Sequence, residues 1–359
     1  MPDSTMPSWT DKISNPAQWG GIETSVLDNG AGRGTRIAWI NTGTGLRYKV
    51  VLDRAMDIAE AFFNQYGLVW LSRSGITAPQ PFSDKGIGWL RTFGGGLLTT
   101  CGLTHVGGPE KDAYGERGLH GEISNTPAEI ESIIQPDPVS GKMDMSITGI
   151  LKQTPIFGPG LTLRRTISST IGKASIRIHD EVCNRGNSPA PHMILYHCNF
   201  GWPLVDEGSD ICWQGNWRPR YAEGIHEIFR EGRNFRKAPA PMDSHLGTGE
   251  ESAVIDPTAD AAGLCACGIY NPVIGFAVVL RFRKQQLPWL TNWQHWGKNE
   301  YVTGLEPGTN APIGQAAARE KGELIQLAPG ETRIYDLEIE VLSEPEQVNA
   351  FLKIIQTNL

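Results

Sequence analysis

The stretch Ile274-Gly-Phe-Ala-Val-Val-Leu-Arg-Phe-Arg283 puts Ile274, Phe276, Val278, Leu280 and Phe282 on one parity, with Arg281 and Arg283 on the other. Side chains of a strand alternate between its two faces, so this spacing predicts a strand with one face in a core. The alternation returns at Ile176, Ile178 and Val182 against Arg177, His179 and Glu181. It appears again at Tyr335, Leu337, Ile339 and Val341 against Asp336, Glu338 and Glu340. Turn signals separate such runs, among them Asn29-Gly30, Asn184-Arg-Gly186 and Pro329-Gly330. One amphipathic helix is predicted over 344–355, with Ser343 as N-cap and Pro345 in its first turn. Val348, Phe351, Leu352 and Ile355 would form its apolar stripe. Residues 216–262, rich in charge, Pro and Gly, read as long loops. No break in composition and no internal repeat divides the chain. It therefore reads as all-β, a single large antiparallel β-sandwich over 1–359, with 1–20 as an N-terminal extension.

Composition bounds the function. A net charge of −7 without a basic stripe argues against nucleic acid as a partner. No stretch approaches the roughly 18–20 apolar residues of a membrane span. Met1–Thr10 has neither the cationic start nor the apolar run of a secretory signal. The six cysteines are scattered, and Cys265-Ala-Cys267 lacks the second pair that zinc would need, so reduced thiols in a cytoplasmic protein are expected. Eleven tryptophans suit a small-molecule sugar as ligand, because sugar C–H faces stack on indoles.

Five clusters and one aromatic run carry candidate chemistry. In Leu119-His120-Gly121-Glu122, an extended backbone would project His120 and Glu122 to the same face. In Val51-Leu-Asp-Arg-Ala-Met-Asp-Ile58, Arg54 and Asp57 follow an apolar strand, where binding groups collect; an ion pair at a sheet edge is the alternative. Trp89-Leu-Arg-Thr-Phe-Gly-Gly-Gly96 lacks a Walker lysine and a following helix. Its glycines therefore read as a bulge or close sheet packing, while Arg91 and His105 could face a cleft from either end. In His192-Met-Ile-Leu-Tyr-His-Cys-Asn-Phe-Gly201, His197 and Asn199 share a parity. Glu306 ends a short strand before the turn pair Pro307-Gly308, well held for proton transfer. Just upstream, Trp293, Gln294 and Trp296 are expected to wall the same cleft, although alternation lets Trp293 and His295 face one way and Gln294 and Trp296 the other. Gly-x-Ser-x-Gly is absent, so no hydrolase nucleophile is suggested. No cofactor is required, but His120 and Glu122 with His105 or His197 could offer three ligands to a divalent metal.

Taken in order, these clusters resemble the galactose mutarotase (aldose 1-epimerase) superfamily, and its divergent branch labelled domain of unknown function 4432. Leu119-His120-Gly121 looks like that family's Leu-His-Gly, whose histidine contacts the sugar. His197 resembles its general acid, Glu306 its late general base, and Arg54 an early substrate-binding arginine. The Asn-Arg-x-x-Asn-Gly usual near the first site is missing. The resemblance implies a β-supersandwich with a cleft across one concave sheet. It implies an isomerase that interconverts sugar anomers, with His197 and Glu306 catalytic. Arg54, Asp57, Arg91, His120, Glu122, Asn199, Trp293, Gln294 and Trp296 would bind substrate. A metal-assisted sugar isomerase, epimerase or lyase, and a noncatalytic carbohydrate-binding module, are the alternatives on the same fold. Homo-oligomerisation is left open.

Overall fold

The computed structural model describes residues 12–80, 85–221, 223 and 226–356. Met1–Thr10, and the expected extension as far as residue 11, lie outside them. Three antiparallel sheets make up the body of the molecule. An eight-stranded sheet runs in the order Asp210–Cys212, Leu264–Asn271, Phe276–Arg283, Thr332–Leu342, Ser175–Asn184, Leu161–Thr170, Asp144–Gln153, Glu129–Ile134. A five-stranded meander covers Gly21 to Gly67.

The third sheet carries the site, and its strands are numbered here: β1 (Thr99–Leu103), β2 (Ala190–Gly201), β3 (Gly215–Pro219), β4 (Glu251–Pro257), β5 (Trp289–Gly297), β6 (Glu300–Gly308) and β7 (Ile325–Leu327). The order is β3-β4-β5-β6-β2-β7, with β1 also paired to β2. The range 216–262, expected to be long loops, is loop only in part: it contains most of β3 and all of β4, which pair with each other.

Alternation accounts for the packing. Val278, Leu280 and Phe282 enter one core with Ile178, Leu337 and Ile339 of their own sheet and Tyr196, Phe200, Ile255, Trp296 and Leu305 of the site sheet. The strand begins at Phe276, after a turn that holds Ile274. Its other face is buried as well: Ala277 and Val279 lie under the helix α1 (Pro345–Gln356), which contributes Val348, Phe351 and Ile355. The predicted helix therefore forms where expected and packs on the outside of the eight-stranded sheet. No helix among the described residues is long and apolar enough to cross a membrane.

A buried polar cluster ties the sheets together behind the site. Arg165 donates from Nε and Nη2 to Asp180, at 2.9 and 2.6 Å, and from Nη1 to Asp57 at 3.0 Å and to Thr100 at 2.8 Å. Tyr196 of β2 donates its hydroxyl to Asp180 at 2.7 Å. Arg165 and Asp180 are fully buried, so the pair stands only because each partner satisfies the other.

Candidate active site

One face of β2, β5 and β6 borders a cavity, and side chains of one parity reach it from each strand. Leu305 on β6, Trp296 on β5 and Tyr196, Cys198 and Phe200 on β2 point into the core. Their neighbours Glu306, Thr291, Trp293, His295 and His197 line a cavity of about 330 Å³ on the other face. That volume lies within the range of small-ligand sites, ~300–1,000 Å³. Trp70, Trp89, Phe93, His120 and Arg220 complete the walls.

His197 and Glu306 form the floor. His197 Nε2 lies 3.2 Å from Glu306 Oε1, on adjacent strands. The approach does not have the angle of a formed hydrogen bond, and Oε1 and His197 Nδ1 are both left without a partner. Burial raises the Glu306 carboxyl to about 8; Glu250 adds to that, and Arg220 opposes it. Burial pulls His197 down to about 3. Between those values the pair holds one proton, resting on the carboxyl while the cleft is empty.

Glycine makes room for this arrangement. A Cβ at Gly304 would sit 2.6 Å from Glu306 Oε1 and 3.3 Å from the Trp293 ring. The carboxylate and the indole therefore lie over a position that only glycine leaves clear.

His120 reaches the cleft by a different route from the one expected. The segment is a turn leading into a 3-10 helix (Ile123–Asn125), and His120 itself has φ of +58°. Its N–H donates to Gly107 O and its carbonyl accepts from Gly102 N. Gly121 sits so close to Gly102 that a Cβ would fall 2.3 Å from that carbonyl oxygen. Strand alternation does not apply to such a turn, so Glu122 points to the surface while His120 packs 4.8 Å from Trp89 and 6.1 Å from His197, ring centre to ring centre. Burial, followed by the neighbouring His197, keeps the His120 imidazole neutral, and its Nδ1 has no partner.

Several expected binding residues lie elsewhere. Arg54 is buried outside the cleft and donates to Ser124 O, Thr77 O and Oγ1, and Thr92 O. It braces the segments that carry Trp89 and His120. Asp57 belongs to the Arg165 cluster. Arg91 is exposed beside Lys85 and Ile87, away from the cleft. Asn199 shares the parity of His197, yet its Nδ2 is spent on Gly96 O and His197 O. Gln294 and Trp296 are buried on the core face, where Trp296 Nε1 donates to Gln294 Oε1 at 2.9 Å. Of the two parities on β5, the one with Trp293 and His295 faces the cleft. His105 is held by Gly108 O and Gln315 N, so it does not join His120. Among the described residues, no group of three His, Cys, Asp or Glu side chains is arranged to hold a metal ion.

The glycine run at 94–96 packs closely against other backbone: a Cβ at Gly95 would meet Trp70 O at 2.4 Å, and one at Gly96 would meet Ile58 O at 2.7 Å. This contact seats Trp70 at the rim, where its ring lies 6.1 Å from that of Trp293. Trp89 and Phe93 stack at 4.2 Å and carry the aromatic wall to His197, 5.1 Å from Phe93. Trp70, Trp89, Phe93, Arg220 and Thr291 were missed because each meets the site only through long-range packing. For Trp89 and Phe93 the one sequence signal was their place beside Arg91 and the glycines.

By fold, the molecule is a galactose mutarotase-like β-supersandwich. It superimposes on a "putative aldose 1-epimerase" from Klebsiella pneumoniae with a TM-score of 0.82, at 24% identity over 94% of this chain and 87% of that one. A galactose mutarotase-like protein from Clostridium acetobutylicum matches with a TM-score of 0.59, at 11% identity over 90% and 98% of the two chains. A galactose 1-epimerase from Lactobacillus acidophilus matches with a TM-score of 0.58, at 11% identity over 89% and 98%. No curated relative matches. Within that fold, the chain belongs to the family described as Domain of unknown function (DUF4432), matched over residues 32–341. At these identities the likeness establishes the fold and leaves the chemistry to be argued from the site.

Proposed function

We propose that the cleft binds a sugar and interconverts its anomers by proton transfer through Glu306 and His197. The observation that carries this reading is the 3.2 Å approach of a carboxyl and an imidazole at the floor of an aromatic cavity. Ring opening removes the proton from the anomeric hydroxyl and adds one to the ring oxygen. Both oxygens are bonded to the same carbon, so an acid and a base side by side can address them together. With the proton on His197, Glu306 acts as base and His197 as acid. Opening moves the proton to Glu306, rotation about C1–C2 follows, and reclosure returns it. The tautomer that prevails in the empty cleft runs the same cycle with the roles exchanged. His120, packed against Trp89, would hold a hydroxyl.

The pH dependence tests this reading. Above about 8 the pair loses its proton and no acid remains; below about 3 it gains a second and no base remains. The rate of anomer exchange, as kcat/KM, should therefore be level across neutral pH and fall tenfold per unit on the alkaline side of about 8. A rate that keeps rising through that region contradicts a shared-proton pair.

Gly304→Ala provides a second test. The added methyl displaces the Glu306 carboxylate, a flexible end that can move at little cost in stability. Misplacement by about 1 Å can cost ~10²-fold in rate. Turnover should fall by about 10-fold or more with an almost unchanged urea midpoint, and wild-type turnover would show that the position of the carboxylate does not matter.

A further inference from the structure

We propose that the sugar taken by this cleft carries an anionic group, and that Arg220 binds it. The inference rests on the reading of the cleft as a sugar site and adds the class of substrate. Arg220 directly follows β3, where its N–H donates to Ser252 O at 2.8 Å. Ser252 stands opposite Trp293 across β4 and β5, so the guanidinium belongs to the same row as the indole that walls the cleft.

Its hydrogen bonding is unlike that of the two buried arginines near the site. Arg165 has two carboxylates, and Arg54 has acceptors for all three of its nitrogens. Arg220 donates from Nη2 to Pro312 O, while its Nε is buried without a partner. It forms no ion pair with any described Asp or Glu, and it is the one Lys or Arg among the described residues lining the cavity. Three carboxyls line the cavity with it and none pairs with it. Burial raises the Glu306 carboxyl to about 8, Glu250 accepts from Trp293 Nε1 at 2.6 Å, and Glu300 pairs with Arg73 at 2.8 Å.

A planar cation with unused donors at the wall of an aromatic cavity suits a carboxylate or a phosphoryl group, which satisfies both its hydrogen bonds and its charge. A hydroxyl would satisfy only the former. The rival role for Arg220 is to favour the ionised form of Glu306, and the two roles differ in what they discriminate.

Equilibrium binding separates them. Tryptophan fluorescence titrations at constant ionic strength would compare D-glucose, D-glucuronate and D-glucose 6-phosphate, and the corresponding galactose series. One anionic form should bind at least ~10-fold more tightly than its neutral parent, as expected for a charge-assisted hydrogen bond. The uronate and phosphate arms identify the group. Arg220→Gln should erase that preference, and Arg220→Lys should restore it only in part, because lysine keeps the charge but loses the fork. The comparison in the wild-type protein needs no variant, so a variant that fails to fold leaves it standing. Equal affinity for neutral and anionic sugars, or no quenching by any anionic sugar at millimolar concentration, overturns the proposal. A preference that survives in Arg220→Gln overturns the role of Arg220. Anionic preference without anomer exchange sinks the catalytic reading alone; exchange without preference sinks this one alone.

Discussion

Glu306→Gln should lower turnover by about 10²-fold or more while leaving sugar affinity and folding nearly unchanged. The amide keeps the shape of the side chain and one acceptor, so a bound hydroxyl is still recognised. It can neither accept a proton to become neutral nor release one near neutral pH. The pair therefore fails in either tautomer. Affinity should hold because Glu306 lies at the floor, whereas the aromatic walls supply the contact area. Turnover and tryptophan quenching measured on this variant distinguish the readings. Turnover near wild type would reduce Glu306 to a buried structural carboxyl, and loss of quenching together with activity would make it a binding group.

Asp180→Ala should be the most costly single change to stability, at about 3–5 kcal/mol. It removes two hydrogen bonds from Arg165 and one from the Tyr196 hydroxyl, leaving a fully buried guanidinium with Asp57 as its only carboxylate. Tyr196 immediately precedes His197 on β2, so the cluster also fixes the strand from which the imidazole projects. A urea titration measures the effect. A loss below about 1 kcal/mol would mean that the cluster is satisfied in some other way, since that is the size of an ordinary surface or single hydrogen-bond change.

Period-two patterns located the strands because an amphipathic strand must alternate, and each strand read from alternation formed. The same alternation gave His197 a parity on β2 opposite to that of the core residue Tyr196; Glu306, read as ending a strand before the turn pair Pro307-Gly308, instead lies inside β6, which continues through Gly308. Alternation failed at Glu122, where a non-glycine residue with positive φ breaks the pattern. The left-handed turn at His120 depends on Gly102 and Gly107, backbone that only the folded chain brings near. On β5, alternation narrowed the wall to one of two pairs without choosing between them; burial of Gln294 and Trp296 made the choice. Arg54 illustrates the opposite failure. A charged residue after an apolar strand reads as a binding group, yet carbonyls from three distant segments satisfy it in the interior. Arg220 was invisible for the same reason: its separation from Trp293 along the chain says nothing of the strand pairing that puts them in one row.

Magnetisation exchange between the α and β anomers, recorded by NMR with catalytic amounts of the wild-type protein, tests the central claim most directly. Positioned acid–base catalysis contributes typically about 10²–10⁴-fold per group, so acceleration over buffer should be unmistakable for at least one sugar among the glucose and galactose series and their uronates and 6-phosphates. It should disappear in Glu306→Gln. Exchange no faster than in buffer for every one of these sugars, from protein whose tryptophans they quench, would contradict the account: the cleft would then bind sugars without interconverting their anomers.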